Sequence, residues 1–346
     1  MRVTVEAKPL SAALADISGL VKRGVDILQC VQITAKDNSL WLITSDAEIE
    51  GHARIEAAVA EQGCVCVSAA DFKYAIAGAA STVDLELTDK GLSVSGANVN
   101  ATLPPRYEEF PRLDQPGDME EIEQGVQAFL SCEPAAARDE TRWNLTGVGF
   151  NGETAVGTNG LNARFHRATG GGGQIVPISA KAILSRIKGR LFVGETLWRA
   201  ENVGRVIVGR LVDATCVDIS KLPRDLPYAW TCDADDLRAK IDAVTFNRAS
   251  MVVLSGGAEA IHLTAEKFEG AHIDAKAEVK AEGAGGATVV CSAQGLRTIL
   301  GGMTGDLRIS TNGNAIEFCA GDLRGLSMVM RDHRNTGPIG VEAVDA

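Results

Sequence analysis

The chain lacks most of the marks by which a sequence declares a membrane protein, a metal protein or an enzyme. No apolar run approaches the roughly 20 residues that a membrane-spanning helix needs, so no membrane partner is expected. The opening Met1-Arg2-Val3-Thr4-Val5-Glu6 alternates like a strand and has no apolar core of a secretory signal, which points to the cytoplasm. Eight cysteines are present, yet no C-x-x-C. Cys64 and Cys66 stand two apart on a strand pattern, where neither a shared metal nor a disulfide is expected, and the set is expected to be small buried hydrophobes in a reducing compartment. Five histidines show no H-E-x-x-H or other metal spacing, and there is no G-x-S-x-G. Gly170 to Gly173 is not followed by G-K-[ST], so it reads as a loop ahead of a strand at Gln174–Pro177 and not as a phosphate cradle. Asp233, Asp235 and Asp236 fit a helix N-terminus opposing the macrodipole better than a metal site. No cofactor, no metal and no catalytic residue is expected. Positive charge is also short: the net charge of −11 argues against a simple basic nucleic-acid binder.

What is present is a pattern stated three times. Ser68-Ala-Ala-Asp-Phe-Lys-Tyr-Ala-Ile, Ser179-Ala-Lys-Ala-Ile-Leu-Ser-Arg-Ile and Ser292-Ala-Gln-Gly-Leu-Arg-Thr-Ile-Leu each set Ser at an N-cap position before an amphipathic run. They recur about every 110 residues, a period that suits whole domains and not a solenoid of small repeats. Ahead of each lies another helix-capable stretch, at Leu10–Val21, Ile122–Ala137 and Ala234–Val244. Alternating strand pairs surround them, such as Gln29–Ala35 with Leu40–Ser45 across the turn Asp37-Asn38. Proline-bearing segments at Pro111–Gly117 and Leu222–Pro227 read as linkers. The expected fold is therefore α+β, with three similar domains at 1–116, 117–226 and 227–332, each of two helices on antiparallel sheet, and a C-terminal tail at 333–346. Sheets running on between units would dispose of exposed edges.

Several short motifs in order resemble one family. Ile17-Ser18-Gly19 before Lys22-Arg23, the run Leu42-Ile43-Thr44-Ser45-Asp46-Ala47-Glu48, Thr102-Leu103-Pro104 before Glu109-Phe110-Pro111-Arg112-Leu113, Gly157-Thr158-Asn159-Gly160, and Leu211-Val212-Asp213 are similar to those of the bacterial DNA polymerase III beta subunit, the sliding clamp. The chain departs from that pattern in three places. Leu161-Asn162 replaces a His-Arg pair, Cys216-Val217 replaces Phe-Pro, and a tail follows Met330. The resemblance is thus to a divergent member.

The resemblance implies a non-catalytic processivity factor: a head-to-tail homodimer whose six similar domains close a ring around double-stranded DNA, without sequence preference. It also implies a replicative DNA polymerase, a clamp loader and repair proteins with clamp-binding peptides as partners. A hole need only be mildly attractive to a duplex carrying one charge per about 1.7 Å. The three Ser-initiated helices hold a net charge of +4, or +5 with Arg190 counted. Lys181, Arg186 and Lys188 are the foremost DNA-facing candidates, with Lys22, Arg23, Lys73 and Arg297 behind them. The implied peptide pocket carries over to Thr158, Gly160, Leu161, Ala163, Val217, Leu222, Met328 and Met330, an apolar set with flexible methionines. Val99, Val244 and Phe246 are candidate dimer contacts. The alternative reading is a clamp-fold scaffold that binds proteins and no longer encircles DNA.

Overall fold

The computed structural model describes residues 1–21, 24–107, 109–114, 117–245, 250–267, 275–283, 286–332 and 334–337. A strand, a helix, further strands, a second helix and three closing strands follow one another three times, with five, two and four strands between the helices. The first pass is β1 (Arg2–Glu6), α1 (Ala7–Ile17), β2 (Cys30–Lys36), β3 (Ser39–Ser45), β4 (Ile49–Glu56), β5 (Ala58–Glu61), β6 (Gly63–Ser68), α2 (Ala69–Ala77), β7 (Thr82–Thr88), β8 (Gly91–Gly96) and β9 (Val99–Leu103). The second is β10 (Glu120–Ile122), α3 (Gly125–Cys132), β11 (Gly147–Thr158), β12 (Asn162–Pro177), α4 (Lys181–Ile187), β13 (Arg190–Val193), β14 (Leu197–Asn202) and β15 (Arg205–Arg210). The third is β16 (Tyr228–Asp233), α5 (Ala234–Val244), β17 (Ser250–Gly256), β18 (Ala260–Lys267), β19 (Ala275–Gly283), β20 (Ala287–Ser292), α6 (Ala293–Leu300), β21 (Asp306–Thr311), β22 (Ala315–Ala320) and β23 (Leu323–Met328).

These elements gather into two compact units, Met1–Val126 with Ser179–Leu211 and Gln127–Ile178 with Val212–Ala346. The first unit holds two antiparallel sheets, ordered β5-β1-β7-β8-β9 and β10-β13-β14-β15-β4-β3-β2-β6. The second holds one ten-stranded sheet, β11-β12-β23-β22-β21-β16-β19-β18-β17-β20. The α+β class expected from the sequence is what the chain adopts.

Local chemistry explains most of the boundaries. β1 alternates exposed and buried residues along its whole length, the mark of a strand with one face on the core. Asp37 and Asn38 take φ of 50° and 53°, as a two-residue hairpin turn requires. The hydroxyl oxygens of Ser68 and Ser292 accept from Asp71 N and Gly295 N, each at 3.3 Å, so both cap their helices as expected. Asp233 caps α5 in the same way, accepting from Asp236 N at 2.8 Å.

Ser179 does not follow suit. A 3-10 turn over Ile178–Ala180 precedes α4, whose N-cap is Ala180 with no side-chain bond. The glycine run also differs from expectation. Gly170–Gly173 lies inside the 16-residue strand β12, opposite a stretch of β11 where the register shifts twice between Phe150 and Thr154. Without side chains the run costs strand stability, but it accommodates the bulges that bend the hairpin. The helix expected over Ile122–Ala137 is shorter, since Pro134 drives its end into a 3-10 turn at Glu133–Ala135.

The cores are dense. Trp198, Trp230, Phe72, Phe129, Phe150 and Phe318 are fully buried. Gly209 is obligatory beneath Trp198, since a Cβ there would sit 2.6 Å from the indole ring. All eight cysteines are free thiols, and burial pushes Cys66, Cys132, Cys232 and Cys291 up to about 12.

The linker after β9 is packed rather than loose. Phe110 buries against Cys30, Ile43 and Cys66. Glu50, on β4 and only 3% exposed, anchors the next two residues: its carboxylate accepts from Arg112 Nε and Leu113 N, both at 2.9 Å, and lies 2.6 Å from His52 Nε2.

Candidate functional site

The apolar site expected from the sequence lies within the second unit, at one end of the ten-stranded sheet. It begins with the turn that joins β11 to β12. Asn159 Oδ1 accepts from Leu161 N at 3.0 Å and Asn162 N at 2.9 Å. Thr158 Oγ1 donates to Asn162 O at 2.8 Å and accepts from Gly160 N at 3.1 Å. Gly160 has φ of +87°, a region that penalises any Cβ. These bonds fix the turn and leave the Leu161 side chain outside it, 65% exposed.

The end of β23 comes up against this turn. Met328 N donates to Leu161 O at 2.9 Å, and Met328 is itself 42% exposed. The next residue, Val329, donates to Asn314 O at 3.1 Å. Asn314 belongs to a second turn with the same tripeptide, Thr311-Asn312-Gly313, and the same bonds: Asn312 Oδ1 accepts from Asn314 N and Ala315 N, and Thr311 Oγ1 donates to Ala315 O. Two copies of one turn thus clasp Met328-Val329 from either side. The repeated Thr-Asn-Gly was the signal that could have found the second turn. Behind the clasp lies a cluster of Val156, Ala163, Phe165, Leu226, Ala315 and Leu326, with Ile219 and Leu222 half-buried against it. A groove of about 1380 Å³ passes over Phe165, Leu226 and Ile219, and on its wall the Arg324 guanidinium stacks on Phe165 at 4.5 Å.

Of the expected pocket residues, Thr158, Gly160, Leu161, Ala163, Leu222 and Met328 come together here. Val217 lines the adjoining hollow with Asn151, Gly172 and Cys216, and Cys216 packs against the same apolar cluster. Met330 turns away to β20, where its N–H donates to Val290 O at 2.8 Å.

An internal comparison shows what is special about the pair Leu161 and Met328. The turn between β3 and β4, Ser45-Asp46-Ala47-Glu48-Ile49, is built in the same way: Asp46 Oδ1 accepts from Glu48 N and Ile49 N, and Ala47 N donates to Ser45 Oγ. There Arg210 N donates to Glu48 O at 3.0 Å, as Met328 N does to Leu161 O. The side chains at the matching places are the ion pair Glu48 and Arg210, 3.8 Å apart. The same scaffold therefore carries an exposed charged pair in one unit and an exposed apolar pair in the other. A solvated ion pair gains little from a partner, whereas an exposed Leu and Met gain by being covered.

Lys73 on α2, Lys181 at the start of α4 and Lys188 at its C-cap are exposed. Arg186 is engaged within the fold: its guanidinium donates to Ala15 O at 2.8 Å, at the carbonyl end of α1, and passes over Gly19. Arg297 pairs with Asp242 at 2.7 Å and donates to Thr245 Oγ1. Lys22 and Arg23 lie outside the described residues, as does Phe246. Val99 opens the edge strand β9, while Val244 is buried in the core beneath α5. Among the described residues no cluster of His, Cys, Asp and Glu could hold a metal ion, and no helix is long and apolar enough to cross a membrane.

Comparison with known proteins accords with this architecture. The chain is similar to the structure of Caulobacter crescentus pol III beta, with a TM-score of 0.82 at 21% identity over 96% of this chain and 100% of that one. For the DNA polymerase III subunit beta of Pseudomonas aeruginosa the TM-score is 0.83 at 21% identity, over 96% and 100%. For the DNA polymerase sliding clamp of Bacillus subtilis it is 0.81 at 17%, again over 96% and 100%. No curated protein matches the chain. The fold is accordingly that of the bacterial sliding clamps, which have three domains per chain. Residues 1–114 match the family described as DNA polymerase III beta subunit, N-terminal domain.

Proposed function

We propose that this chain is a DNA sliding clamp, closed as a head-to-tail ring of two copies around duplex DNA, that tethers a replicative polymerase in the cytoplasm and has no catalysis of its own. One observation carries the ring. The last strand of the second repeat, β15, pairs with β4, and the last strand of the third, β23, pairs with β12. The last strand of the first repeat, β9, ends its sheet with no further strand beside it among the described residues. Its missing neighbour is the third-repeat counterpart of β4, the first part of β19, whose outer edge is likewise open there. An open strand edge is a template for pairing. A second copy would supply the complementary edge at each end, a heterologous pairing that in the proposed ring closes after two chains.

The internal registers support one ladder between copies. Carrying β15–β4 over to β9 and β19 sets Val99 opposite Ala277, Asn100 opposite Lys276 and Ala101 opposite Ala275 of the second copy. Clamp loader, polymerase and repair proteins with clamp-binding peptides would dock at Leu161 and Met328. Lys73, Lys181 and Lys188 would face the duplex.

The test is topological. Protein placed by the host clamp loader on nicked circular DNA should stay bound through gel filtration and be lost once the circle is cut. Equal retention on circular and linear DNA would exclude encirclement. Loss from both, with polymerase binding intact, would establish the scaffold reading in its place.

A further inference from the structure

The chain does not stop at the clasp, and its next residues occupy a sheet edge. β20 ends the ten-stranded sheet, so among the described residues one side of it has no strand neighbour. Residues 330–332 and 334–337 lie along that side. Met330 N donates to Val290 O at 2.8 Å, and Val290 N donates to Asn335 Oδ1 at 2.9 Å. Thr288 and Thr336 form an antiparallel bridge, with Thr336 N to Thr288 O at 2.7 Å and Thr288 N to Thr336 O at 3.2 Å. The outward N–H and C=O groups of both Thr288 and Val290 are thereby satisfied. Asn335 also closes the strap on itself, its Nδ2 donating to Met330 O at 2.6 Å, and Asp332 pairs with Arg334 at 2.7 Å.

The shared scaffold does not dictate this arrangement. In the first repeat the equivalent strand is β6, and Arg106 N donates to Cys66 O at 2.9 Å just as Met330 N does to Val290 O. From that point the first linker leaves to bury Phe110 and to anchor Arg112 and Leu113 on Glu50. Cys64, which stands where Thr288 does, remains exposed, and its sulfur accepts the hydroxyl of its neighbour Thr34. The first repeat thus shows no such occupation of the edge among the described residues, and in the third it depends on two side chains, Asn335 and Thr336.

We infer that the outer edge of β20 is a second interaction surface, a strand-addition site for an extended segment bearing an Asn-Thr pair, and that the chain fills it in cis with its own residues between Met330 and Gly337. Strand addition gives affinity through main-chain bonds, and here Asn335 supplies the specificity by reading Val290 N and Met330 O together. The cis segment is tethered a few residues away, so its effective concentration excludes a free peptide of the same sequence. Because Met328 and Val329 lead directly into the strap, latching also fixes the wall of the clasp.

The experiment uses the full chain, free of DNA and partners, with a fluorescein-labelled peptide copying residues 329–337 as the probe. Asn335→Ala combined with Thr336→Pro removes the side-chain bridge and the N–H to Thr288 O and should unlatch the strap. The unlatched variant should bind the peptide at least tenfold more tightly than the wild type, by anisotropy. Hydrogen exchange read at Thr288 and Val290 should quicken at least tenfold in the variant, with Val252 and Leu254 of β17 unchanged. Equal peptide binding by the two proteins, or unaltered exchange at Thr288 and Val290, would overturn the assignment. Wild-type protection at these amides should not vary with protein concentration; protection that rose with concentration would mean a segment swapped from a second copy and would overturn the cis assignment. All readings are taken on free protein, so failure here leaves the encirclement test untouched.

Discussion

Asn100→Lys tests the inferred ring closure at a single register position. Asn100 and Lys276 are both exposed, on open edges of β9 and β19. The inferred ladder sets them directly opposite across the contact between copies. Like charges at opposed strand positions, with Cβ atoms about 5 Å apart, cost roughly 0.5–1 kcal/mol. A ring of two copies contains the contact twice, so the dimer should lose about 1–2 kcal/mol, a roughly 5- to 30-fold rise in Kd. The repulsion acts across a solvent-exposed edge and should shrink as salt shortens the Debye length to about 3 Å at 1 M. Sedimentation equilibrium at low and high salt would measure both effects. Adding Lys276→Glu should reverse them, since a Lys–Glu pair then faces across the ladder. The monomer's melting temperature should not move, because Asn100 is exposed. A Kd within twofold of wild type at low salt, or a weakening that Lys276→Glu fails to rescue, would refute the register and with it the pairing carried over from the internal repeats.

The site and its supports give three further tests. Leu161→Glu with Met328→Arg copies the Glu48 and Arg210 pair onto the clasp; the fold should be retained, and surface plasmon resonance should show the replicative polymerase binding at least tenfold more weakly. Arg186→Ala removes a donor to the last turn of α1 and should cost about 1 kcal/mol of stability in urea melts, whereas Lys73→Glu with Lys188→Glu should spare stability and reduce retention on circular DNA. Burial alone would raise the Glu50 carboxyl, but hydrogen bonds from His52 and Leu113 N and the charges of His52 and Arg112 together hold it below its ordinary 4.5. Its contribution is therefore present above pH 4.5 and lost as pH falls through the lower folded value. Glu50→Gln should flatten that acid limb in thermal melts and destabilise the chain by about 2 kcal/mol near neutrality.

How much of this was legible in the sequence depended on whether the signal was local. A Ser before an amphipathic run caps a helix through its own neighbours, and Ser68 and Ser292 do so. Ser179 carries the same local signal, yet the long hairpin β11–β12 delivers the chain into a 3-10 turn that takes the cap's place. Charge was equally visible, but its destination was not. Arg186 and Arg297 read as cations on exposed helices, and only the tertiary fold shows Arg186 turned to α1 and Arg297 to Asp242. The glycines of β12 read as a loop because nothing in four glycines reveals the partner strand whose bulges they oppose.

The most informative comparison required both levels at once. Glu48, Leu161, Arg210 and Met328 are ordinary letters until the ladders show that they occupy two copies of one geometry. Once they are matched, the difference in chemistry becomes a controlled experiment made within a single chain. The bonding pattern of the turn is the same, while the exposed pair has changed from charged to apolar. Packing cannot account for the change, since all four side chains are exposed. An apolar pair held outward by a fully bonded turn, where a sister turn tolerates an ion pair, is the feature on which the proposed partner site rests. The strap on β20 obeys the same logic: a bond common to all three repeats, Arg106 to Cys66, Val212 to Ile175 and Met330 to Val290, leads into a strap along the strand edge in the third. Repetition supplies the baseline, and function is read where one copy departs from it.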